Sequence, residues 1–251
     1  MSFPPEALTD DAFLDGRLRL WQPRTGYRAA MDPVLLAASV PAAAGEAVLD
    51  LGCGAGAAVL CLGARLPGLA LTGLELQPGY ADLARRNAVR NGIALEVVEG
   101  DLAAMPAVLK GRAFDHVIAN PPYYGTAAPA AADPGRDRAL REATPLAEWI
   151  AAGLKRLRPG GRITLIQAAE RLPDLLAALG RGAGSVTVRP VAPRAGRPAR
   201  RVIVAARKGG RGAFRLLAPL VLHAAPAHSG DGEDFTGEAA AILRDGAAIS
   251  L

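Results

Sequence analysis

Nine residues, Val48-Leu49-Asp50-Leu51-Gly52-Cys53-Gly54-Ala55-Gly56, constrain this chain more than any other stretch. An apolar run ends at three closely spaced glycines, and a helical pattern begins directly after them. This spacing predicts a strand, a tight turn and a helix whose first N–H groups are free. Glycines at such a turn permit positive φ and let a ligand touch the backbone, while the helix N-terminus offers donors to it.

The rest of the chain repeats the alternation of short apolar runs and helical patterns, which specifies an α/β, Rossmann-like fold. Strands are expected at Ala47–Leu51, Leu69–Glu75, Ala94–Glu99, Phe114–Ala119 and Arg162–Gln167. Helices are expected at Gly56–Leu66, from Gly79 to about Arg90, near Ala103–Lys110, from a Thr144-Pro145 cap to Leu157, and at Glu170–Leu179. Ser185–Val191 and Arg201–Ala206 read as an antiparallel pair joined by Pro193-Arg194-Ala195-Gly196-Arg197-Pro198. The expected architecture is a seven-stranded, mostly parallel sheet with an antiparallel terminal strand pair and helices on both faces. A small helix near Gly237–Leu243 closes the chain. Residues 120 to about 143 carry no periodicity and are long for such a connection, which marks a functional loop. Residues 1–45 are expected to form a lead covering the ligand cleft, ahead of a main domain over 46–251.

A Gly-x-Gly-x-Gly loop alone serves NAD, FAD or S-adenosylmethionine. Two details separate them. The dinucleotide pattern places its third glycine one residue later, and Asp50 stands two positions before Gly52. A carboxylate there repels a pyrophosphate and suits a cationic amino-acid moiety. Glu75 closes the second strand, where a carboxylate can hold both ribose hydroxyls, and Asp101 follows the third, within reach of an adenine amino group. The three acids fall at successive strand ends, on the edge where open α/β sheets bind ligands. Asp50, Gly52, Cys53, Gly54, Gly56, Glu75, Asp101 and the flanking Leu76 and Leu102 are the candidate cofactor contacts.

Cys53 and Cys61 are the only cysteines among 251 residues, so no disulfide framework exists, and the three scattered histidines show no metal spacing. No secretory signal or clean membrane span is visible, so a cytoplasmic monomer is expected, with no metal and no membrane partner. The net charge of +5 is concentrated. Between Arg189 and Arg215 the chain carries eight arginines and Lys208 without one acid. This run is either a solvated basic stretch or a phosphate-contacting surface, since Arg forks match phosphate geometry.

Asn120-Pro121-Pro122-Tyr123-Tyr124 follows the fourth strand and resembles the catalytic signature of amino methyltransferases acting on planar nitrogens. An exocyclic amine is a weak nucleophile because its lone pair is delocalised into the ring. The Asn120 side-chain oxygen and the Pro121 carbonyl can accept its two hydrogens, aiming the lone pair at a sulfonium methyl. Pro121 and Pro122 stiffen the turn and leave that carbonyl without ladder partners. Tyr123 offers a ring on which a planar base can stack.

With these residues the chain resembles the class I S-adenosylmethionine-dependent methyltransferases. More narrowly, it resembles the bacterial tRNA(Val) anticodon-loop adenine N6-methyltransferases. Leu20-Trp21-Gln22-Pro23-Arg24-Thr25-Gly26-Tyr27-Arg28 and Met31-Asp32-Pro33-Val34-Leu35-Leu36-Ala37 look like that family's lead. Arg200-Arg201-Val202-Ile203-Val204 and Phe235-Thr236-Gly237-Glu238 look like its ending. The resemblance implies that Gln22, Tyr27, Arg28 and Asp32 close over S-adenosylmethionine, with Asn120 touching it. It also implies an RNA partner, tRNA, and adenine N6 as acceptor. The substrate would then meet Tyr123, Tyr124, Arg136, Arg138, Arg141, Arg197, Arg200 and Arg201. Two alternatives stand beside it: a glutamine-amide methyltransferase acting on a translation factor, and a catalytically silent RNA-binding subunit. The intact acids and Asn120 argue against the second.

Overall fold

The computed structural model describes residues 2–123, 144–180, 182–225 and 234–251. Its centre is a twisted sheet built from the apolar runs read above. The strands are β3 (Ala47–Leu51), β4 (Ala70–Glu75), β5 (Leu95–Glu99), β6 (Phe114–Ala119), β7 (Leu157–Ala168), β8 (Ala183–Arg194), β9 (Arg201–Lys208), β10 (Arg215–Leu216) and β11 (Leu220–His223). They lie in the order β10-β8-β9-β7-β6-β3-β4-β5, and β11 continues along the outer edge of β8 beyond β10. Every pairing is parallel except those of β9, which runs antiparallel to both β7 and β8.

The seven expected strands are all present, and two short ones join them. β10 and β11 come from the tail after Phe214, where Pro219 interrupts the edge between two short pieces. Proline lacks the N–H a ladder needs and confines strands to such broken edges. Neither piece was long enough to show a period.

Helices α1 (Met31–Ala38), α2 (Ala57–Arg65), α3 (Pro78–Arg90) and α7 (Gly237–Asp245) pack on one face, sharing a core with Ile118, Ile166 and Ile203. On the other face α5 (Leu146–Arg156) and α6 (Leu172–Leu179) cover Leu49, Val117, Leu165 and Val204, with Leu109 of α4 (Ala107–Lys110) beside them. Leu146, Trp149, Ile150, Gly153 and Leu154 are the buried residues of α5, the apolar stripe of a helix on a sheet. Thr144 does not cap α5; Pro145 takes the N-cap position and no side chain bonds there.

The lead contains a hairpin of β1 (Leu8–Phe13) and β2 (Leu18–Pro23) before α1. Leu18 and Leu20 are fully buried. The outer edge of β2 is satisfied by two amides of α3: Asn87 exchanges hydrogen bonds with the Trp21 backbone and Asn91 with that of Arg19. These side chains replace a further strand and prevent an open edge. Among the described residues, no helix is long and apolar enough to cross a membrane.

Candidate active site

Parallel strands end together, so β3, β4, β5 and β6 deliver their last residues to one rim. A cleft opens there, lined by Asp50, Gly52, Cys53, Gly54, Glu75, Leu76, Asp101, Leu102 and Asn120. The lead supplies another wall through Gln22, Tyr27, Ala29 and Pro33, and α5 adds Trp149.

The glycine loop is shaped by sterics. Gly52 sits at φ +65°, and a Cβ on it would lie 2.5 Å from the Trp149 ring. Gly54 sits at φ +56° with nothing within 4 Å of that position, so its backbone faces open space. Gly56, the residue before α2, does not line the cleft; it shapes the turn. The Cys53 thiol packs against Gly73, and burial with the charges of Asp50 and Glu75 holds it protonated.

Two carboxylates share the wall. Glu75 accepts the N–H of Gly54 at 2.9 Å and that of Gln77 at 2.8 Å, yet burial still raises its carboxyl. Asp50 is 2% exposed and pushed well above the carboxylate range by burial, and by the Glu75 charge; the Val59 N–H opposes both. Its Oδ2 has no hydrogen-bond partner among the described residues. A buried carboxylate with an unpaired oxygen, beside a second acid, calls for a cation. Asp101 anchors its own loop by accepting the Ala103 N–H at 2.8 Å.

At the end of β6, Asn120 donates through Nδ2 to the Tyr27 hydroxyl at 3.3 Å. Its Oδ1 is buried with no partner among the described residues. The Pro121 carbonyl is not free of competitors. The amide of Gln167, fully buried at the end of β7, reaches the carbonyls of Pro121 (3.3 Å) and Pro122 (3.1 Å). One lone pair of Pro121 remains for another donor. A Gln closing an apolar strand was the available signal for this support.

Tyr123 and Asp32 lie off the cleft wall and are committed to each other. The Tyr123 hydroxyl donates to Asp32 Oδ2 at 2.6 Å, and Asp32 Oδ1 pairs with Arg201 Nε at 2.6 Å. Burial first, then the Asp32 charge, raises the Tyr123 phenol, and burial with the charges of Asp32 and Asp50 raises that of Tyr27. Both stay protonated donors. Asp32, expected at the cofactor, and Arg201, expected at the substrate backbone, thus form a clasp under the proline corner. Gln22 also acts as a brace: it exchanges hydrogen bonds with the Ala29 backbone and donates to Asp11. Arg28 pairs with Asp11 away from the cleft. Arg197 and Arg200 are exposed on the β8–β9 turn, at the same rim as Asn120. Tyr124, Arg136, Arg138 and Arg141 lie outside the described residues.

The profile of the Methyltransferase small domain matches residues 31–181, from α1 through the glycine loop and Asn-Pro-Pro-Tyr to α6. The chain belongs to the methyltransferase small-domain family. A tRNA1(Val) (adenine(37)-N6)-methyltransferase of Porphyromonas gingivalis is 31% identical over 180 residues, 66% of this chain and 68% of that protein. A release factor glutamine methyltransferase of Deinococcus radiodurans is 37% identical over 155 residues, 57% of this chain and 53% of that one. A crystal structure titled as a predicted O-methyltransferase from Agrobacterium tumefaciens superposes with a TM-score of 0.71 at 29% identity, covering 88% of this chain and 99% of its own.

This small-domain methyltransferase is an enzyme whose methyl donor is S-adenosylmethionine, and the cleft fits it. The unpaired Asp50 oxygen suits a cationic amino-acid end, and Glu75 and Asp101 can take the nucleoside. The open Gly54 backbone allows close approach. When bound, the cofactor supplies an electrophilic methyl on a positively charged sulfur. Sequence reading missed Tyr80, whose hydroxyl accepts the Tyr27 N–H at 2.9 Å, and Trp149, which on a helix stripe reads as core.

Proposed function

We propose that the chain methylates the exocyclic N6 of adenine in RNA, in a tRNA anticodon loop. The observation that carries this reading is the buried, unpartnered Oδ1 of Asn120 beside the Pro121 carbonyl. Two acceptors at a rigid corner bind the two hydrogens of an amine and turn its lone pair out of the ring. Alignment then accounts for most of the catalysis. Gln167 holds the corner's carbonyls, and the Asp32–Arg201 clasp holds the Tyr123 ring where a base can stack.

No base is required before attack on a nitrogen, since its N–H becomes acidic only after methylation. Burial keeps the Tyr27 and Tyr123 phenols protonated, so neither serves as a base here. The exposed Arg197 and Arg200 on the same rim suit phosphate contacts. Residues 1–45 are proposed to act as a cover over the bound cofactor, through Gln22 and Tyr27. The relative named as a tRNA adenine methyltransferase supports this reading over more of its length than the glutamine methyltransferase supports the other.

Glutamine-amide methylation is the second reading, favoured by the higher identity to that relative, 37% over 155 residues. The test is incubation with radiolabelled S-adenosylmethionine and separate pools of tRNA, rRNA and release factor, followed by digestion of the labelled product. The expected product is N6-methyladenosine from tRNA. Label confined to a glutamine side chain overturns the proposal.

A further inference from the structure

The fold divides the basic run from Arg189 to Arg215 into three groups. Arg189 pairs with Glu238, Arg194 with Asp234 and Arg201 with Asp32, so these three are tied to the protein. Arg197 and Arg200 stand at the catalytic rim. Arg207, Arg211 and Arg215 lie toward the opposite end of the strands, where a residue far away in sequence joins them. Arg162 of β7 is directly opposite Arg207 of β9.

Like charges facing across an antiparallel pair destabilise a sheet. Among the described residues, none of Arg162, Arg207 and Arg215 has an acidic side chain paired with it, and all three line one pocket with Ser185, Gly212 and Leu251. Burial and the neighbouring Arg207 charge push the Arg162 guanidinium down. The pocket floor is fixed by a bulge in β8 between Gly184 and Thr187. There Ser185 adopts a left-handed φ of +51°, and its Oγ accepts the Gly212 N–H at 2.8 Å. That hydroxyl keeps its own hydrogen to donate. Three guanidinium groups and a hydroxyl donor around one concavity outnumber the single carboxylate that Leu251 brings to its lining, and make an anion site, which relieves the repulsion once filled.

We propose that this pocket binds a backbone phosphate of the RNA substrate, remote from the nucleotide that is methylated. The proposal rests on the RNA reading above. Arg207 lies six residues along β9 from Arg201, about 20 Å at ~3.3 Å per residue. In this proposal the body of a folded tRNA reaches this end of the strands, while the anticodon stem-loop engages the catalytic rim.

The experiment is steady-state methylation of full-length tRNA and of its isolated anticodon stem-loop by the full chain and by the variant Arg162→Ala/Arg207→Ala/Arg215→Ala. For full-length tRNA, KM rises at least about tenfold with kcat unchanged, and the log–log salt slope of binding falls by about one unit, as expected for one lost phosphate contact. For the stem-loop, KM stays as in the parent chain. Unchanged KM for full-length tRNA, or an equal rise for both substrates, overturns the proposal. Should the triple variant melt early, Arg207→Glu on its exposed side chain must give the same contrast between substrates. If the parent chain methylates a release factor and no RNA, the functional reading itself fails; a parent-like KM on an RNA that the parent does methylate removes only this pocket.

Discussion

The two sides of the site are built in different ways. On the cofactor side the polar contacts are between carboxylates and nearby backbone: Glu75 meets Gln77 two positions away and Gly54 across one βα unit of 21. On the acceptor side they join side chains from remote elements. Tyr123 reaches Asp32 at a separation of 91, Gln167 reaches Pro121 at 46, and Arg201 comes from β9 to close the set. The cofactor side leaves a buried charge unmet, so that a cationic ligand completes it. The acceptor side has its charges met and leaves neutral acceptors available, Asn120 Oδ1 and the second lone pair of the Pro121 carbonyl. One side is arranged to bind and the other to hold a geometry.

If that division is right, damage to the acceptor side must appear in turnover and leave cofactor affinity alone. The largest effect is expected for Asn120→Ala. It removes an acceptor aligned with the reacting amine, and losing one such contact costs about 3 kcal/mol in the transition state. Single-turnover methylation should slow by at least ~100-fold, while calorimetry shows S-adenosylmethionine bound within a few-fold of the parent. A collapse of cofactor affinity would mean that Asn120 belongs to the binding side.

A smaller effect follows from opening the clasp. Arg201→Met leaves Asp32 half-buried without its cation and frees the Tyr123 ring to turn. We expect kcat to fall about tenfold, or ~1.4 kcal/mol, with cofactor affinity unchanged. Tyr123→Phe should produce a similar loss, and the double variant little more than either. Contacting residues couple by about 0.5–3 kcal/mol in such cycles. Strictly additive losses would break the clasp. A rise in KM with a shallower salt dependence would instead return Arg201 to the RNA surface.

The same division explains what could be read from the amino acids. Asp50, Gly52 and Gly54 announce themselves at the end of one apolar run and Glu75 at the end of the next, and period and spacing are local properties. Asn120 was legible for the same reason. Asp32 was visible only through the resemblance, as a cofactor contact, and Arg201 as one arginine of many at the substrate; their pairing depends on β9 lying antiparallel beside β7. The lead was harder still. Its Leu18 and Leu20 alternate with Arg19, a strand pattern, but the run is short. What settles it as a hairpin is the amide edge supplied by Asn87 and Asn91, 66 and 72 positions away. The basic run was legible as composition, while its division depended on which strand ends carry acids.

The smallest effect probes the unmet charge of the cofactor side. Burial holds the Asp50 carboxyl above its unfolded value of 3.8, with the Glu75 charge adding to it. The native state therefore binds more protons than the unfolded chain between that value and the raised one. In that window stability falls as pH rises, because the unfolded chain gives up a proton that the buried carboxyl keeps. Asp50→Asn is neutral at every pH. The variant should match the parent near pH 4 in the absence of cofactor and exceed it increasingly toward neutral pH. A gain of 1 kcal/mol would raise Tm by roughly 2–4 °C in a chain of this size. The same substitution should weaken S-adenosylmethionine binding, since it deletes the charge that a cation completes. The decisive measurement is a set of melting curves from pH 4 to 8 for both proteins, with and without cofactor. A stability difference that does not change with pH would show that Asp50 is not under this strain, and the contrast between the two sides would then reduce to one of sequence separation.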